Sequence, residues 1–317
     1  MSYYRGPLLF CGSSHTVLGE EISRCLAIPL GRLSLDQFPD GETKVEILEE
    51  VRGRDVFVLQ STALNPNFYL MELLILIDAL KRASAKNIVA IIPYFGYCRQ
   101  DRKDKPGVPI TAKLVANMLA VAGMSRLITL DLHAGQLEGF FEVPVDHLSC
   151  QSLLAAQARQ MLGKDGIVVA PDIGSVKVAK KMAKLLGIEM AIIEKQRTTA
   201  FDVQMTLIGN VAGKHVLLAD DMCSTGGTLV AAAQLCRQQG AKNVIAAVTH
   251  GICAGDAIKD IEDSILTSLI MTNTVPMLNR FSHSKKVAVL SIASLIAEAI
   301  KGLLDDYIRP GYAMSLI

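Results

Sequence analysis

The residues from His215 to Leu229 carry the clearest chemical signal in the sequence. An apolar strand, residues 215–219, ends in the acidic pair Asp220 and Asp221, and a loop of Ser, Thr and Gly then opens a helix. Such a loop directs backbone N–H groups and hydroxyls at one point in front of a helix N-terminus, which suits a phosphate monoester. The two carboxylates can accept hydrogen bonds from sugar hydroxyls or hold a hydrated Mg²⁺. The pattern predicts a sugar-phosphate site, with an ordinary helix N-cap as the alternative.

Four further segments place polar residues beside apolar strands: Asp36–Glu42, Pro93–Asp104, Asp131–Gln136 and Ala170–Ser175. Ligands of open α/β sheets bind beyond the carboxyl ends of the strands, so such positions are candidate sites. Taken alone, the first segment indicates a hairpin connection and the second a solvated basic loop. His133 in the third is a metal ligand or simply a satisfied polar residue. The sequence contains no Walker A and no G-x-G-x-x-G pattern, which argues against P-loop and Rossmann nucleotide binding.

Short apolar runs alternate with amphipathic helical stretches along the chain, which predicts an α/β protein with mostly parallel sheets. The expected strands are Asp55–Gln60, Asn87–Ile92, Arg126–Leu130, Ile167–Ala170, His215–Ala219 and Asn243–Val248. The expected helices are Phe68–Ser84, Thr111–Ala122, Gly174–Leu186, Gly227–Gln239 and Ala293–Ile308.

An internal repeat divides the chain into two halves. Residues 85–90 read Ala-Lys-Asn-Ile-Val-Ala and residues 241–246 read Ala-Lys-Asn-Val-Ile-Ala, each between a helix and a strand. We expect two homologous domains, residues 1–148 and 149–317, with the C-terminal helix 293–308 packed on either of them. A chain of 317 residues is long enough for two such cores.

Composition narrows the class of protein. Lys and Arg number 32 against 31 Asp and Glu, and this balance disfavours nucleic-acid binding. No apolar run is long enough to span a bilayer and no signal-peptide core is present, so we expect a cytoplasmic protein without a membrane partner. The seven cysteines are scattered and form no C-x-x-C, which disfavours a disulfide framework or a structural zinc site.

Several separated segments together resemble the ribose-phosphate pyrophosphokinase family, in its phosphate-activated class from bacteria and animals. The matching segments are Phe38–Glu42, Tyr94–Asp101, Val108–Lys113, Asp131–Phe141, Ala170–Ser175 and Asp220–Thr228. The resemblance covers essentially the whole chain, in the right order. It implies two tandem phosphoribosyltransferase-like domains and transfer of the β,γ-diphosphoryl group of MgATP to the C1 hydroxyl of ribose 5-phosphate, releasing AMP. It also implies a homo-oligomer, expected to be a hexamer.

The resemblance assigns roles residue by residue. It implies a ribose 5-phosphate site formed by Arg197, Asp220, Asp221, Ser224, Thr225, Gly226, Gly227 and Thr228. It implies an ATP site formed by Phe38, Asp40, Gly41, Glu42, Arg99 and Gln100, in which the Phe38 segment comes from a neighbouring subunit. His133 and Asp172 would serve the Mg²⁺–nucleotide complex, and Lys195 and Arg197 would stabilise the transition state from a catalytic loop.

The sequence departs from the family pattern at several positions, and alternatives follow. Gln196 stands where a second basic residue is usual, Ser224 stands where many relatives have Asp, and residues 105–107 and 251–253 differ from the usual segments. The resemblance therefore supports the family's substrate chemistry for this chain better than it supports the family's regulation. The rival interpretations are a phosphoribosyltransferase, a non-catalytic regulatory homologue that binds synthetase subunits, and a ligand-sensing transcription factor. The last would need a DNA-binding module that the chain has no room for.

Overall fold

The computed structural model describes residues 6–163, 165–197, 203–276, 281 and 284–308. The chain divides into two compact units. One comprises the described residues up to Leu148 together with those from Ser291 onward, and the other comprises the described part of residues 149–290. Each unit contains a mainly parallel sheet flanked by helices, which confirms the predicted α/β class.

The first unit is built on a five-stranded parallel sheet in the order β1-β4-β5-β6-β7. Its strands are β1 (Leu8–Cys11), β4 (Asp55–Leu59), β5 (Asn87–Ile92), β6 (Arg126–Leu130) and β7 (Val145–Leu148). A separate antiparallel hairpin consists of β2 (Leu33–Gln37) and β3 (Thr43–Ile47). The helices are α1 (Thr16–Leu26), α2 (Pro66–Arg82) and α3 (Thr111–Ala122), with a 3₁₀ helix at Gly135–Phe140. Helices cover the central strands, so β4 is buried along its whole length and consists mainly of apolar residues.

The second unit is built on a seven-stranded sheet in the order β10-β9-β8-β11-β12-β13-β14, in which only β9 and β10 pair antiparallel. Its strands are β8 (Gly166–Ala170), β9 (Met190–Arg197), β10 (Val203–Ile208), β11 (His215–Cys223), β12 (Asn243–Gly251), β13 (Ser268–Thr272) and β14 (Val287–Leu290). The helices are α4 (Gln151–Leu162), α5 (Val176–Leu186), α6 (Gly227–Gln238) and α7 (Ala257–Asp263). The carboxyl ends of β8, β11 and β12 share one edge, because these strands are parallel neighbours.

The C-terminal helix α8 (Ala293–Ile308) belongs to the first unit and packs against α1. Its apolar face includes the buried residues Ile296 and Ile300. Just before it, the Ser291 hydroxyl donates to the carboxylate of Glu21 on α1 at 2.5 Å. Among the described residues, no helix is long and apolar enough to cross a bilayer.

Two strands run further than the apolar pattern predicts. β11 continues through Asp220 and Asp221 to Cys223, because its main chain stays paired with β12 up to Gly251. The acidic pair therefore lies inside a strand, not after one. Residues 194–197 likewise belong to β9, because β10 pairs with them. The predicted helix Phe68–Ser84 lies at Pro66–Arg82, and the predicted helix Gly174–Leu186 begins at Val176.

Candidate active site

The loop between β11 and α6 forms a short connection that leads into a helix N-terminus. Gly226 precedes the helix with φ +80° and ψ −19°, and no side chain caps α6 there. The first amides of a helix have no acceptor within the helix, so they remain available to an anion. A Cβ built on Gly227 would meet only the Thr225 hydroxyl, at 3.9 Å. The first turn of α6 is therefore open to a close approach by a phosphate group.

The segment that follows β12 holds this loop in place. The Cys253 amide donates to the Cys223 carbonyl at 2.9 Å, and the Ala254 amide donates to the Ser224 carbonyl at 2.7 Å. Cys223 and Cys253 are both buried, and Cys253 has a left-handed φ of +46°. The loop thus starts from a fixed point in the core, which orders its backbone before any ligand binds.

Three carboxylates gather beside the loop at the carboxyl edge of the second sheet. Burial, together with the negative charges of Asp221 and Asp172, raises the pKa of Asp220 to about 8. One Asp220 oxygen accepts the Asp221 amide at 2.9 Å. The arrangement is a set of hard oxygen donors that a divalent cation would stabilise in the charged form.

Asp172 lies two residues beyond β8, in the turn that starts α5. Its carboxylate accepts the Ser175 amide at 3.0 Å, and the Ser175 hydroxyl donates to the Asp172 carbonyl at 2.9 Å. These bonds fix the orientation of the carboxylate while leaving lone pairs on its oxygens. No group of three or more His, Cys, Asp and Glu side chains that could hold a metal occurs in the described part of the chain. A cation here would therefore need water or substrate oxygens as further ligands.

Lys195 projects from β9 beyond the same edge. β9 runs parallel to β8, with Ile192 opposite Ala170, and Lys195 is three residues further along. Its side chain is exposed, and across β10 it lies opposite Met205. The sequence places Lys195 and Arg197 after a strand, whereas the structure places both in the strand. The Arg197 side chain and residues 198–202 lie outside the described residues.

In the first unit, Arg99 and Gln100 follow β5 and lie in a segment tied to its surroundings. The Gln100 amide donates to the Tyr97 carbonyl at 2.9 Å, and the Gln100 carbonyl accepts the Ala112 amide at 3.2 Å. Arg99 and Gln100 are both exposed. Since β5 ends at the carboxyl edge of the sheet, their polar groups extend into the region where ligands of such sheets bind.

His133 follows β6, the parallel neighbour of β5, and is exposed. The preceding Leu132 amide donates to His147 Nε2 at 2.8 Å, which fixes the turn. The Gln136 side chain donates to Asp101 at 3.0 Å and so links the His133 segment to the Arg99 segment. The structure thus brings together two segments that the sequence identified as separate candidate sites. Asp172, the second predicted metal ligand, belongs to the other unit.

Phe38, Asp40, Gly41 and Glu42 form the tip of the β2–β3 hairpin. The Phe38 amide donates to the Glu42 carbonyl and the Gly41 amide to the Phe38 carbonyl, both at 2.8 Å, and Gly41 has φ +93°. The Phe38 side chain is 47% exposed and has Lys44 Nζ 6.0 Å from its ring centroid. The hairpin therefore presents an aromatic face suited to stacking and two carboxylates on one turn.

Two polar groups at strand ends were missed by the sequence analysis. Thr62 follows β4 and bonds to the Tyr94 and Gly96 backbone. His250, at the end of β12, has Nδ1 2.9 Å from the Thr274 hydroxyl, with both residues buried. Both lie near the end of an apolar strand, as Asp172 does, and this position is the signal in the sequence that could have identified them.

Comparison with known proteins identifies the family. Residues 8–123 match the N-terminal domain of ribose phosphate pyrophosphokinase, and residues 198–308 match the phosphoribosyl synthetase-associated domain. The ribose-phosphate pyrophosphokinase of Helicobacter hepaticus is 46% identical over 94% of this chain and 96% of its own, and that of Burkholderia pseudomallei is 46% identical over 94% of each. The chain belongs to the ribose-phosphate pyrophosphokinase family.

A solved structure agrees with this assignment over nearly the whole chain. The crystal structure of phosphoribosylpyrophosphate synthetase from Mycobacterium smegmatis superimposes with a TM-score of 0.91 at 40% identity, covering 95% of this chain and all of that one. The family, the fold class and the enzyme class implied by the sequence are therefore confirmed. The individual site residues and the domain boundary stay predictions.

Proposed function

We propose that this protein transfers the β,γ-diphosphoryl group of MgATP to the C1 hydroxyl of D-ribose 5-phosphate, giving 5-phospho-α-D-ribose 1-diphosphate and AMP. The observation that carries the proposal is the β11–α6 connection, where two carboxylates precede an uncapped helix N-terminus. A sugar phosphate uses both features, because its phosphate oxygens accept from the helix amides and its sugar hydroxyls donate to the carboxylates. The full-length family match supports the same reaction.

The 5-phosphate binds at the start of α6 in this proposal. The hydroxyls of Ser224, Thr225 and Thr228 and the amides at Gly226 and Gly227 donate to its oxygens. Asp220 and Asp221 accept hydrogen bonds from the ribose hydroxyls, which fixes the C1 hydroxyl relative to the loop. Ser224 supplies a hydroxyl donor where many relatives have a carboxylate, and so it adds no negative charge near the phosphate.

Mg²⁺ fits the residues present. It is usually held by one or two carboxylates together with water and substrate phosphates, and it prefers oxygen ligands. Asp172 and Asp220 supply such oxygens beside the loop, and we assign His133 to the nucleotide-bound metal by family resemblance. When bound, Mg²⁺ neutralises charge on the phosphate oxygens.

ATP is bound in this proposal by Arg99 and Gln100 of one copy and by the β2–β3 hairpin of a second. Arg99 offers a planar fork of donors to the polyphosphate. The exposed ring of Phe38 stacks on adenine, while Asp40, Gly41 and Glu42 bind the nucleotide from the same turn. A complete site then requires an oligomer, and a hexamer is the size the family resemblance implies. Location in the cytoplasm remains a prediction from the sequence.

Lys195 and Arg197 supply positive charge during transfer. The C1 oxygen attacks the β-phosphorus in line as the bond to the α-phosphate oxygen breaks, and charge spreads over the non-bridging oxygens. Cations placed beside those oxygens lower the activation barrier most when they bind the transition state more strongly than the bound substrates. Lys195 lies beyond the strand edge shared with Asp172, on the side of the sheet where the sugar phosphate binds.

A product assay tests the proposal. Pure protein is incubated with ATP, Mg²⁺, ribose 5-phosphate and inorganic phosphate, and the nucleotides are resolved by chromatography. We expect AMP in equal amounts with a sugar diphosphate, and only when the sugar phosphate is present. Formation of ADP would indicate an ordinary kinase. A folded oligomer without turnover would instead favour the regulatory homologue.

A further inference from the structure

Thr62, in the connection between β4 and α2, supports the segment that carries Arg99 and Gln100. Its side chain is almost fully buried, at 4% exposure. Its hydroxyl accepts the Gly96 amide at 2.7 Å and donates to the Tyr94 carbonyl at 2.9 Å. Its own amide donates to the same carbonyl at 3.1 Å. One residue therefore makes three hydrogen bonds to the backbone just ahead of Arg99.

The contact between Thr62 and Gly96 is too close for a side chain at position 96. A Cβ built on Gly96 would lie 2.7 Å from the Thr62 carbonyl oxygen and 3.0 Å from its hydroxyl oxygen. Backbone atoms cannot yield as the end of a flexible side chain can. The close approach therefore fixes the path of the chain at Gly96, three residues before Arg99.

A hydrogen bond to the first turn of α2 extends this support. Tyr97 has a left-handed φ of +64°, and its hydroxyl donates to the Asn67 side chain in the first turn of α2. The Tyr97 carbonyl then accepts the Gln100 amide at 2.9 Å. Hydrogen bonds from Thr62 and from the first turn of α2 thus hold the segment that leads to Gln100.

We infer that Thr62 is a positioning residue for ATP binding, which fixes the direction in which Arg99 and Gln100 leave the sheet. The inference rests on the proposed function, because the nucleotide roles of Arg99 and Gln100 belong to that proposal. The hydrogen bonds of Thr62 described above all go to backbone groups, so its effect reaches ATP through the segment it holds. A binding segment that is ordered in advance loses less conformational freedom when the ligand binds.

Thr62→Val tests the inference, because valine has nearly the shape of threonine and lacks the hydroxyl. The variant leaves the buried Gly96 amide without its acceptor, so the segment must shift or find another partner. We expect the KM for ATP to rise about tenfold, while kcat and the KM for ribose 5-phosphate change by less than about twofold. Thr62→Ser keeps the hydroxyl and should restore the KM for ATP.

Ser125→Ala is the matched control. The Ser125 hydroxyl accepts the Ile88 amide and donates to the Ile88 carbonyl, both at 3.0 Å, near the opposite end of β5. Its removal should lower the melting temperature and leave the KM for ATP unchanged. Gly96→Ala keeps the Thr62 hydroxyl and displaces the segment by contact, so it should raise the KM for ATP as Thr62→Val does. It also provides the test if Thr62→Val does not fold.

Arg99→Ala separates failure of the inference from failure of the proposed function. If Arg99→Ala raises the KM for ATP but Thr62→Val and Gly96→Ala do not, Thr62 is structural only and the inference is wrong. If Arg99→Ala also leaves the KM for ATP unchanged, the proposed ATP site is wrong. An equal rise in the KM for ATP in Ser125→Ala would also overturn the inference, because general loss of stability would then explain the effect.

Discussion

Replacing Gly226 by alanine should weaken the binding of ribose 5-phosphate while the fold is retained. Gly226 has φ +80°, a conformation that costs an L-residue about 1–2 kcal/mol. The added Cβ would lie 3.5 Å from the Ala257 carbonyl oxygen and 3.6 Å from Ile261, which are ordinary contact distances. The penalty is therefore backbone strain and not a steric clash.

This strain should appear in the binding of the sugar phosphate. The free variant relieves it by turning the peptide at position 226 out of the left-handed region, which redirects the amides at the start of α6. The phosphate must then restore the original conformation at a cost of about 1–2 kcal/mol. That cost corresponds to a rise in the KM for ribose 5-phosphate of about 5- to 30-fold.

Gly240→Ala is a matched control at the opposite end of α6. Gly240 has φ +86°, and its added Cβ would lie 3.5 Å from Ala212. In a urea titration without ligand, Gly240→Ala should therefore lose at least as much unfolding free energy as Gly226→Ala, which relieves its strain in the free protein. Steady-state kinetics at saturating MgATP should show the raised KM for ribose 5-phosphate only in Gly226→Ala. Equal values of this KM in the two variants would refute the placement of the phosphate at α6.

Three further predictions concern the remaining parts of the site. Lys195→Ala should lower kcat by orders of magnitude without changing the circular dichroism spectrum, because it removes charge stabilisation of the transition state; near-normal turnover would contradict the role of Lys195. The raised pKa of Asp220 means that the native chain keeps this proton to higher pH than the unfolded chain does. In a buffer that contains a metal chelator, the melting temperature should therefore fall as the pH rises from about 4 toward about 8. Asp220→Asn should weaken this trend, and an unchanged trend in that variant would argue against Asp220 as its source. Phe38→Ala should raise the KM for ATP, and mixing it with Lys195→Ala should restore activity if two copies share a site. Mixtures no more active than their components would place the hairpin and Lys195 in the same copy's site.

The type and approximate position of six strands and five helices could be predicted from the sequence, whereas the polar ends of β11 and β9 could not. β5, β6 and α3 have the predicted bounds, because apolar periodicity reports burial: β5 and β6 are buried after their first residue, and α3 buries one apolar face. β11 and β9 continue past the continuous apolar runs at residues 216–219 and 190–193. There the strand is maintained by main-chain pairing with β12 and β10, which places no demand on side-chain polarity. A pattern based on hydrophobicity therefore ends such strands too early.

The residues of the candidate site also differ in how far the sequence predicts them. The residue types at Asp220–Thr228 indicate phosphate and sugar chemistry by themselves, because few other structures need that combination. The approach of Asp172 to Asp220 depends on β8 lying beside β11, a sheet order that chain spacing does not determine. The position of Thr62 near the end of β4 marks it as a candidate but does not reveal its partners. Its bonds go to backbone groups more than thirty residues away, and no local pattern records those bonds.

The two units use the same strand–loop–helix arrangement in different ways. The related segments 85–90 and 241–246 lead into β5 and β12, where Asn87 pairs with Asp55 and Asn243 pairs with His215. The connections that correspond to one another are therefore β4–α2 and β11–α6.

In the first unit, residues of the β4–α2 connection make hydrogen bonds to other groups of the protein. Gln60 donates to the buried carboxylate of Glu72 at 2.6 Å, and Thr62 binds the backbone at residues 94 and 96. α2 begins with Pro66, which has no amide hydrogen to offer a ligand. α6 begins with Gly227, and its preceding loop has glycine where a side chain would block or cap the helix. In the proposed function, the connection in the first unit supports the nucleotide segment, while the connection in the second unit keeps its helix amides for the sugar phosphate, so one phosphate loop is sufficient.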